Sequence, residues 1–152
     1  MSCIPALLFA RDENETRLVA EWIVARVPNM RGGGVGPCVA AGVVRDGCMV
    51  AGVAFHDWQP GYDTLQLSMA ADSPRWASSA VLRGLFRYAF VTAGANKLWT
   101  ATPHINERAL RFNIGLGMKR EATLRHHFGA KSHAVVCSML RAEWQRSRWF
   151  GE

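Results

Sequence analysis

The dipeptide Asp46-Gly47 lies between two apolar runs of similar length, Cys38–Arg45 and residues 48–56. Both central positions of a two-residue turn need positive φ, which Gly and Asp tolerate, so the pair predicts a β-hairpin. If Arg45 faces Cys48, the register carries Cys38 opposite Phe55, and the two cysteines do not pair across the hairpin. After a turn at Pro60-Gly61, a further strand is predicted over Thr64–Ala71, so three consecutive strands form an antiparallel unit.

The flanking segments decide what kind of sheet this unit belongs to. Residues 4–9 read as a first strand. Asp12 or Asn14 can cap a helix whose stripe is Leu18, Val19, Trp22 and Ile23, and Pro28 stops it. Ser78 or Ser79 can cap a second helix with Leu82, Leu85, Phe86, Ala89 and Phe90 turned inward and Arg83 and Arg87 outward, and Gly94 ends it. A strand over residues 97–102 follows. Asn106 opens a third helix with Ala109, Phe112 and Leu116 on one stripe and Leu110 and Ile114 on the adjoining one. Strands over residues 119–128 and 133–141 complete the pattern, with a turn near Gly129. A helix on either side of the 97–102 strand requires crossover connections. The fold class is therefore α/β, a mixed and mostly antiparallel sheet of about seven strands with helices on both faces.

A chain of 152 residues suits one domain spanning 1–152, because that length supports a single core. Residues 143–152 form a basic, aromatic C-terminal tail. Apolar residues make up 49% and charged residues 20%, which is ordinary for a folded protein. No apolar run approaches the ~20 residues that cross a bilayer. The N-terminal apolar segment is short and runs into Arg11-Asp12-Glu13, unlike a signal peptide. The expected location is the cytoplasm, with no membrane partner. Cys3, Cys38, Cys48 and Cys137 show no C-x-x-C pair, so they are expected to be small core residues rather than metal ligands or disulfides. Net charge is +6, from 18 Lys plus Arg against 12 Asp plus Glu, which favours an acidic partner such as nucleic acid, an anionic cofactor or an acidic substrate.

Two segments carry candidate chemistry. The passage from the Thr64–Ala71 strand into the second helix runs through Arg75, Trp76, Ala77, Ser78, Ser79 and Ala80. A helix N-terminus exposes unpaired N–H groups that suit a phosphate, small residues admit a ligand to the backbone, and Arg75 adds a charge. In the third helix, Asn106 and Asn113 stand two turns apart and are expected to point the same way. A buried amide must find a partner within the fold or in a ligand. The Gly32-Gly33-Gly34-Val35-Gly36 run lacks Gly-Lys-Ser/Thr and a following helix, so it reads as a flexible, substrate-facing loop rather than a phosphate loop.

These segments resemble the GCN5-related N-acetyltransferase (GNAT) superfamily. Its pyrophosphate loop is Gln/Arg-x-x-Gly-x-Gly/Ala, and Arg75-x-x-Ser78-x-Ala80 is similar to it, with serine for the first glycine. Its later helix often reads Asn-x-x-Ala-x-x-Leu-Tyr-x-x-x-Gly-Phe, beside Asn106-x-x-Ala109-x-x-Phe112-Asn113-x-x-x-Gly117-Met118 here. Lys119 to Arg125 resembles the strand that follows, and Cys137-Ser138-Met139-Leu140-Arg141 resembles the last strand of ribosomal-protein or phage-type members.

The resemblance implies acetyl-CoA as donor and a primary amine as acceptor, in a small molecule, a peptide or a protein N-terminus. It implies the pyrophosphate on backbone N–H groups from Trp76 to Ala80, beside Arg75. The pantetheine arm would run beside Ser68, Met69 and Ala70 where two parallel strands splay, and Asn106 would bond it as well as cap its helix. A backbone N–H near Met69 or Ala70 would stabilise the thioester oxygen. Asn113 stands where many members carry a proton-donating tyrosine, and an amide has no such proton. Ser68 is the substitute donor. The family's frequent basic carboxylate falls near Thr64. His56, at the end of a hairpin strand, is the candidate base, because an unperturbed imidazole titrates near ~6.5. His126 and His127 are weaker candidates, one on each face of a strand.

Two other classes are consistent with the chain. One is a non-catalytic acyl-CoA sensor, supported by the missing tyrosine and carboxylate. The other is an RNA-associated basic module, motivated by the charge and the Arg148-Trp149 tail. Nucleic acid is not the expected partner, because that tail also reads as a frayed terminus. Exposed Trp144 and Trp149 would suit a homodimer contact.

Overall fold

The computed structural model of the chain describes residues 4–27, 30 and 34–151. Its elements are β1 (Ala6–Phe9), α1 (Glu13–Arg26), β2 (Cys38–Arg45), β3 (Cys48–Gln59), β4 (Thr64–Ala71), α2 (Ser79–Arg87), β5 (Lys97–Pro103), α3 (Glu107–Gly115), β6 (Lys119–Leu124), β7 (Ala134–Leu140) and α4 (Arg141–Gln145). One seven-stranded sheet runs in the order β1-β2-β3-β4-β5-β7-β6. Every adjacent pair is antiparallel except β4 with β5. The mixed, mostly antiparallel sheet with helices on both faces is the architecture that the sequence pattern predicts.

The β2–β3 turn forms at Asp46 and Gly47, both with positive φ (53° and 77°). Arg45 faces Cys48 as expected, but Cys38 faces His56 rather than Phe55. The cause is a bulge: the register shifts between Val43 and Val44, which leaves Val50 as the extra residue and moves every later pairing by one. The result places His56, not Phe55, on the same face as Cys38.

That face is covered by α1, capped by Asp12, whose Oδ1 accepts from the Glu15 N–H at 2.8 Å. Val19 and Ile23 of α1 bury against Ala40 and Ala54. Gly42 and Gly52 face each other across β2 and β3, and a Cβ on Gly52 would lie only 2.8 Å from Ile23 Cγ1. The missing side chain at Gly52 lets α1 sit close to the sheet. Leu18, expected in the buried stripe, is 55% exposed; Val19, Trp22 and Ile23 fill the contact, and Leu18 lies one step around the helix from them. Arg26 at the end of α1 holds Asp72 through two hydrogen bonds, at 2.8 and 3.2 Å, and lies over the Trp22 ring. Pro28, Gly32 and Gly33 fall outside the described residues.

The opposite face carries α2, the π-helical turn Tyr88–Thr92 that continues it, α3 and the C-terminal segment. Leu82, Leu85, Phe86, Ala89 and Phe90 are buried as the spacing predicts. The tail is not frayed. Residues 141–145 are helical, and Trp144 and Trp149 are buried rather than exposed, stacked on Phe90 and Phe86. Aromatic area that sequence reading assigns to a homodimer contact or to stacking bases thus belongs to the core, where such rings contribute most. Among the described residues no helix is long and apolar enough to cross a membrane.

Candidate functional site

β4 and β5 pair only over Thr64–Lys97, Leu65–Leu98 and Gln66–Trp99, although β4 runs on to Ala71 and β5 to Pro103. The two parallel strands therefore part after Gln66, and a gap opens between them. β3 still pairs with β4 through Ala71, so β4 is free on its β5 side alone. The Asp72 N–H donates to Val50 O at 2.9 Å. By antiparallel alternation, the Ala70 and Ser68 amides then face β3, while those of Met69 and Ala71 face the gap. Of the two amides that sequence reading offers for the oxyanion, that of Met69 faces the gap and that of Ala70 faces β3.

The gap opens toward the loop between β4 and α2. Ser73 and Ser78 each cap a turn there, accepting from the Arg75 and Val81 N–H groups at 3.2 Å. The Trp76 N–H donates to Ser73 O and the Ser78 N–H to Trp76 O, so local turns use two of the amides expected to face a phosphate. The Ser79 and Ala80 N–H groups have no acceptor among the described residues, as the first turn of a helix dictates. Arg75 is exposed, Ala77 half-buried, and the Trp76 side chain is core, 5.5 Å from the Phe112 ring.

Asn106 and Asn113 part company. Asn106 precedes the helix (φ −87°, ψ 72°) and is exposed; its Oδ1 accepts from the Ala109 N–H at 3.2 Å, and its Nδ2 meets no described residue. Asn113 is buried, and its Nδ2 donates to Thr100 Oγ1 at 3.2 Å and Thr102 Oγ1 at 3.4 Å. It braces α3 against β5 beside the gap. The same-direction expectation fails because Asn106 is a cap with non-helical backbone, so the seven-residue count does not apply.

His56 and Ser68 come together. His56 Nε2 lies 2.7 Å from Ser68 Oγ, and His56 Nδ1 lies 2.6 Å from Asp57 Oδ2. His56 is 6% exposed. A carboxylate only accepts, so Nδ1 carries the proton, and in the neutral ring Nε2 accepts from the Ser68 O–H. Asp57 escapes sequence reading because neighbours along a strand point to opposite faces. The adjacent His-Asp pair just before the Pro60-Gly61 turn is the signal that was there to find.

The remaining histidines make a different contact. His126 and His127 lie in the turn after β6, not in a strand. The His126 N–H donates to His133 Nδ1 at 2.9 Å, and the His133 N–H to His104 Nδ1 at 3.1 Å. Burial, then the neighbouring His104, His126 and Arg125, hold the His133 pKa down. Among the described residues no group of three or more His, Cys, Asp or Glu is placed to hold a metal. Asp63 and Thr64 belong to the turn before β4 and its first residue. A groove of about 410 Å³ between α1 and Gly34–Gly36 is lined by Arg17, Glu21, Val24 and Val35 among others, and includes none of these site residues.

No family model and no curated protein sequence matches the chain. Solved structures do. Mutant forms of the spermidine/spermine N-acetyltransferase SpeG from Vibrio cholerae superpose with a TM-score of 0.70 at 11% identity, over 94% of this chain and 97% of that one. RimJ from Mycobacterium smegmatis, in complex with CoA-disulfide, gives 0.64 at 14% identity, over 75% of this chain and 58% of that one. The ribosomal-protein-S5-alanine acetyltransferase from Vibrio fischeri gives 0.60 at 14% identity, over 70% of this chain and 63% of that one. At these identities the likeness is one of architecture: the chain has the fold of the GCN5-related N-acetyltransferases.

Proposed function

We propose that this chain transfers an acetyl group from acetyl-CoA to a primary amine. The observation that carries the reading is the gap between β4 and β5, edged by the free Met69 and Ala71 amides and leading to the free Ser79 and Ala80 amides. Such an edge fits an extended, amide-bearing pantetheine arm, and a helix N-terminus beside Arg75 fits a pyrophosphate. When bound, the donor supplies an activated acetyl thioester. Met69 N–H is aimed to receive charge developing on the thioester oxygen. Asn106 Nδ2 is free to donate to the arm while Oδ1 caps α3.

His56 and Ser68 move the proton. Their contact, with Asp57 behind the ring, favours catalysis over the sensor alternative, because passive binding has no use for a hydroxyl aligned on an oriented imidazole. A net charge of +6 attracts an anionic donor and repels polycationic amines. We therefore favour a peptide or protein N-terminus, or a small amine of low charge, as acceptor.

A thermal-shift titration with acetyl-CoA tests the reading. Saturation at ~100 times Kd adds about 2.7 kcal/mol to the native state, and Arg75→Ala weakens binding about tenfold with the unliganded melting temperature unchanged. No rise in melting temperature at millimolar acetyl-CoA sinks the reading. Thiol release across a panel of amines and peptides then identifies the acceptor.

A further inference from the structure

His133 immediately precedes β7, and its ring closes the neck of the turn that joins β6 to β7. The backbone N–H of His126, on the far side of that neck, donates to His133 Nδ1 at 2.9 Å. An imidazole nitrogen that accepts carries no proton, so the proton of the neutral His133 ring sits on Nε2. Within the turn, Phe128 N–H donates to Ser132 O, Gly129 N–H to His126 O and Ser132 N–H to Gly129 O. His126 (φ 56°) and Lys131 (φ 63°) have left-handed backbone, which non-glycine residues keep where their surroundings hold it. The imidazole of His133 is what holds the His126 amide.

The neighbour on the other side behaves differently. His104, directly after β5, places Nδ1 3.1 Å from His133 N and 3.2 Å from His133 O. Bare, that nitrogen accepts from the N–H; protonated, it donates to the carbonyl. The His104 N–H also donates to His133 O at 2.8 Å. The His133 backbone therefore stays tied to the end of β5 in either state of His104. The bond to His126 has no such alternative. Both nitrogens of an imidazolium are donors, so neither the protonated ring nor its flipped form can accept from the His126 N–H. Proton sensitivity is thereby concentrated in one bond.

The surroundings work in the same direction. The His104 and His126 rings lie 4.9 and 5.3 Å from the His133 ring, centroid to centroid. Burial, then His104, His126 and Arg125, hold the His133 pKa below its ordinary 6.5, and no carboxylate is among the groups that act on it. His127 and Lys131 of the same turn are exposed, and His127 packs on Phe128 instead. A folded pKa below the unfolded one means that the contribution to stability is full above the unfolded value and is lost as pH falls through the folded one. We propose that His133 is a proton-controlled latch: neutral, it closes the 125–131 turn onto the sheet, and protonated, it releases that turn while His104 keeps the start of β7 in place. The turn adjoins the strand that edges the β4–β5 gap, because Ala134, the residue after His133, pairs with Pro103 at the end of β5. The latch needs no ligand, so it stands or falls apart from the acetyl-CoA reading.

The test is amide hydrogen exchange of the ligand-free chain by NMR between about pH 7.5 and 5, with each rate referred to the intrinsic rate at that pH. Protection of the His126 amide should fall by up to about tenfold per unit once the pH is below the folded value of His133. The onset should coincide with titration of the His133 ring signals. His133→Asn places a side-chain oxygen that does not titrate near the position of Nδ1, and should keep the His126 amide protected across the range. His133→Ala should leave that amide unprotected throughout. His126→Asn, which tolerates left-handed backbone, should retain the pH dependence at position 126; its loss would move the switch to the His126 ring and overturn the assignment. Amides of β5 and β7 should stay protected, and their loss together with that of His126 would mean general acid unfolding rather than a latch. Protection that is constant with pH in the unmodified chain, or an unchanged pH dependence in His133→Asn, also overturns the latch.

Discussion

Trp149 Nε1 donates to Leu116 O at 2.8 Å, tying the C-terminal segment to the end of α3. The same ring stacks on Phe86, its centroid 6.3 Å away. Trp144 and Trp149 are therefore part of the core packed beside α3, and α3 carries the Asn106 cap and the Asn113 brace. Trp149→Ala should destabilise the chain by about 3–5 kcal/mol, the cost of removing a large buried ring. Trp149→Phe keeps most of the area and should lose only about 1–2 kcal/mol, for the orphaned carbonyl. Urea denaturation followed by circular dichroism distinguishes these outcomes; two equally mild variants would show that the tail is not core.

Gly52 and Gly42 make a second test of packing, because they face each other in the ladder yet meet different neighbours. A Cβ on Gly52 would press on Ile23 Cγ1 at 2.8 Å and Trp22 Cε3 at 3.3 Å. Ile23 is fully buried and cannot retreat, so Gly52→Ala should cost about 1–3 kcal/mol. At Gly42 the nearest atom is Met49 Sδ at 2.8 Å, on a flexible side chain that can swing aside. Gly42→Ala should cost well under half as much. Thermal melts of the two variants side by side check the ranking.

The strand and helix order was legible because each element has its own period and its own punctuation. Asp46-Gly47, Ser78 and Gly94 end or begin elements where local chemistry alone decides. What was hidden depended on contacts across the sheet. The bulge after Val43 has no glycine to announce it, yet it exchanges Phe55 for His56 opposite Cys38. Asp57 joins His56 only through a left-handed residue within a strand, which no alternation pattern anticipates. Trp144 and Trp149 look like surface residues in a basic tail, and it is the hydrophobic surface of α2 and the turn after it, far away in sequence, that recruits them. His56 and Ser68 were each visible as candidates; their 2.7 Å contact follows from the shifted register and not from spacing.

Asn113 provides a test of where chemistry ends and architecture begins. Its Nδ2 serves Thr100 and Thr102, all three buried. Asn113→Leu keeps much of the volume but leaves two threonine hydroxyls without their donor, and should cost about 1–3 kcal/mol of stability. The acetyl-CoA thermal shift of the variant should persist. Loss of thiol release at unchanged stability would show instead that the amide acts in the reaction.

Glu143 should contribute to acid sensitivity. Its Oε2 lies 2.6 Å from Lys119 Nζ, and its Oε1 accepts from the Leu140 N–H at 2.9 Å. The Lys119 bond, and then the Leu140 N–H, hold the carboxyl below its ordinary value of 4.5. A carboxylate whose folded pKa is depressed stabilises fully above its unfolded pKa, and that stability is lost as pH falls through the folded value. The side chain is only 17% exposed, so screening by solvent is incomplete. Glu143→Gln retains an acceptor for the Leu140 N–H but removes the charge, and should cost about 1 kcal/mol near neutral pH. Melting temperatures of the two proteins should converge as the pH is lowered from 6 through the depressed folded value, where the unmodified carboxyl also becomes neutral. A constant difference across that range would mean that the pair with Lys119 is not what Glu143 contributes.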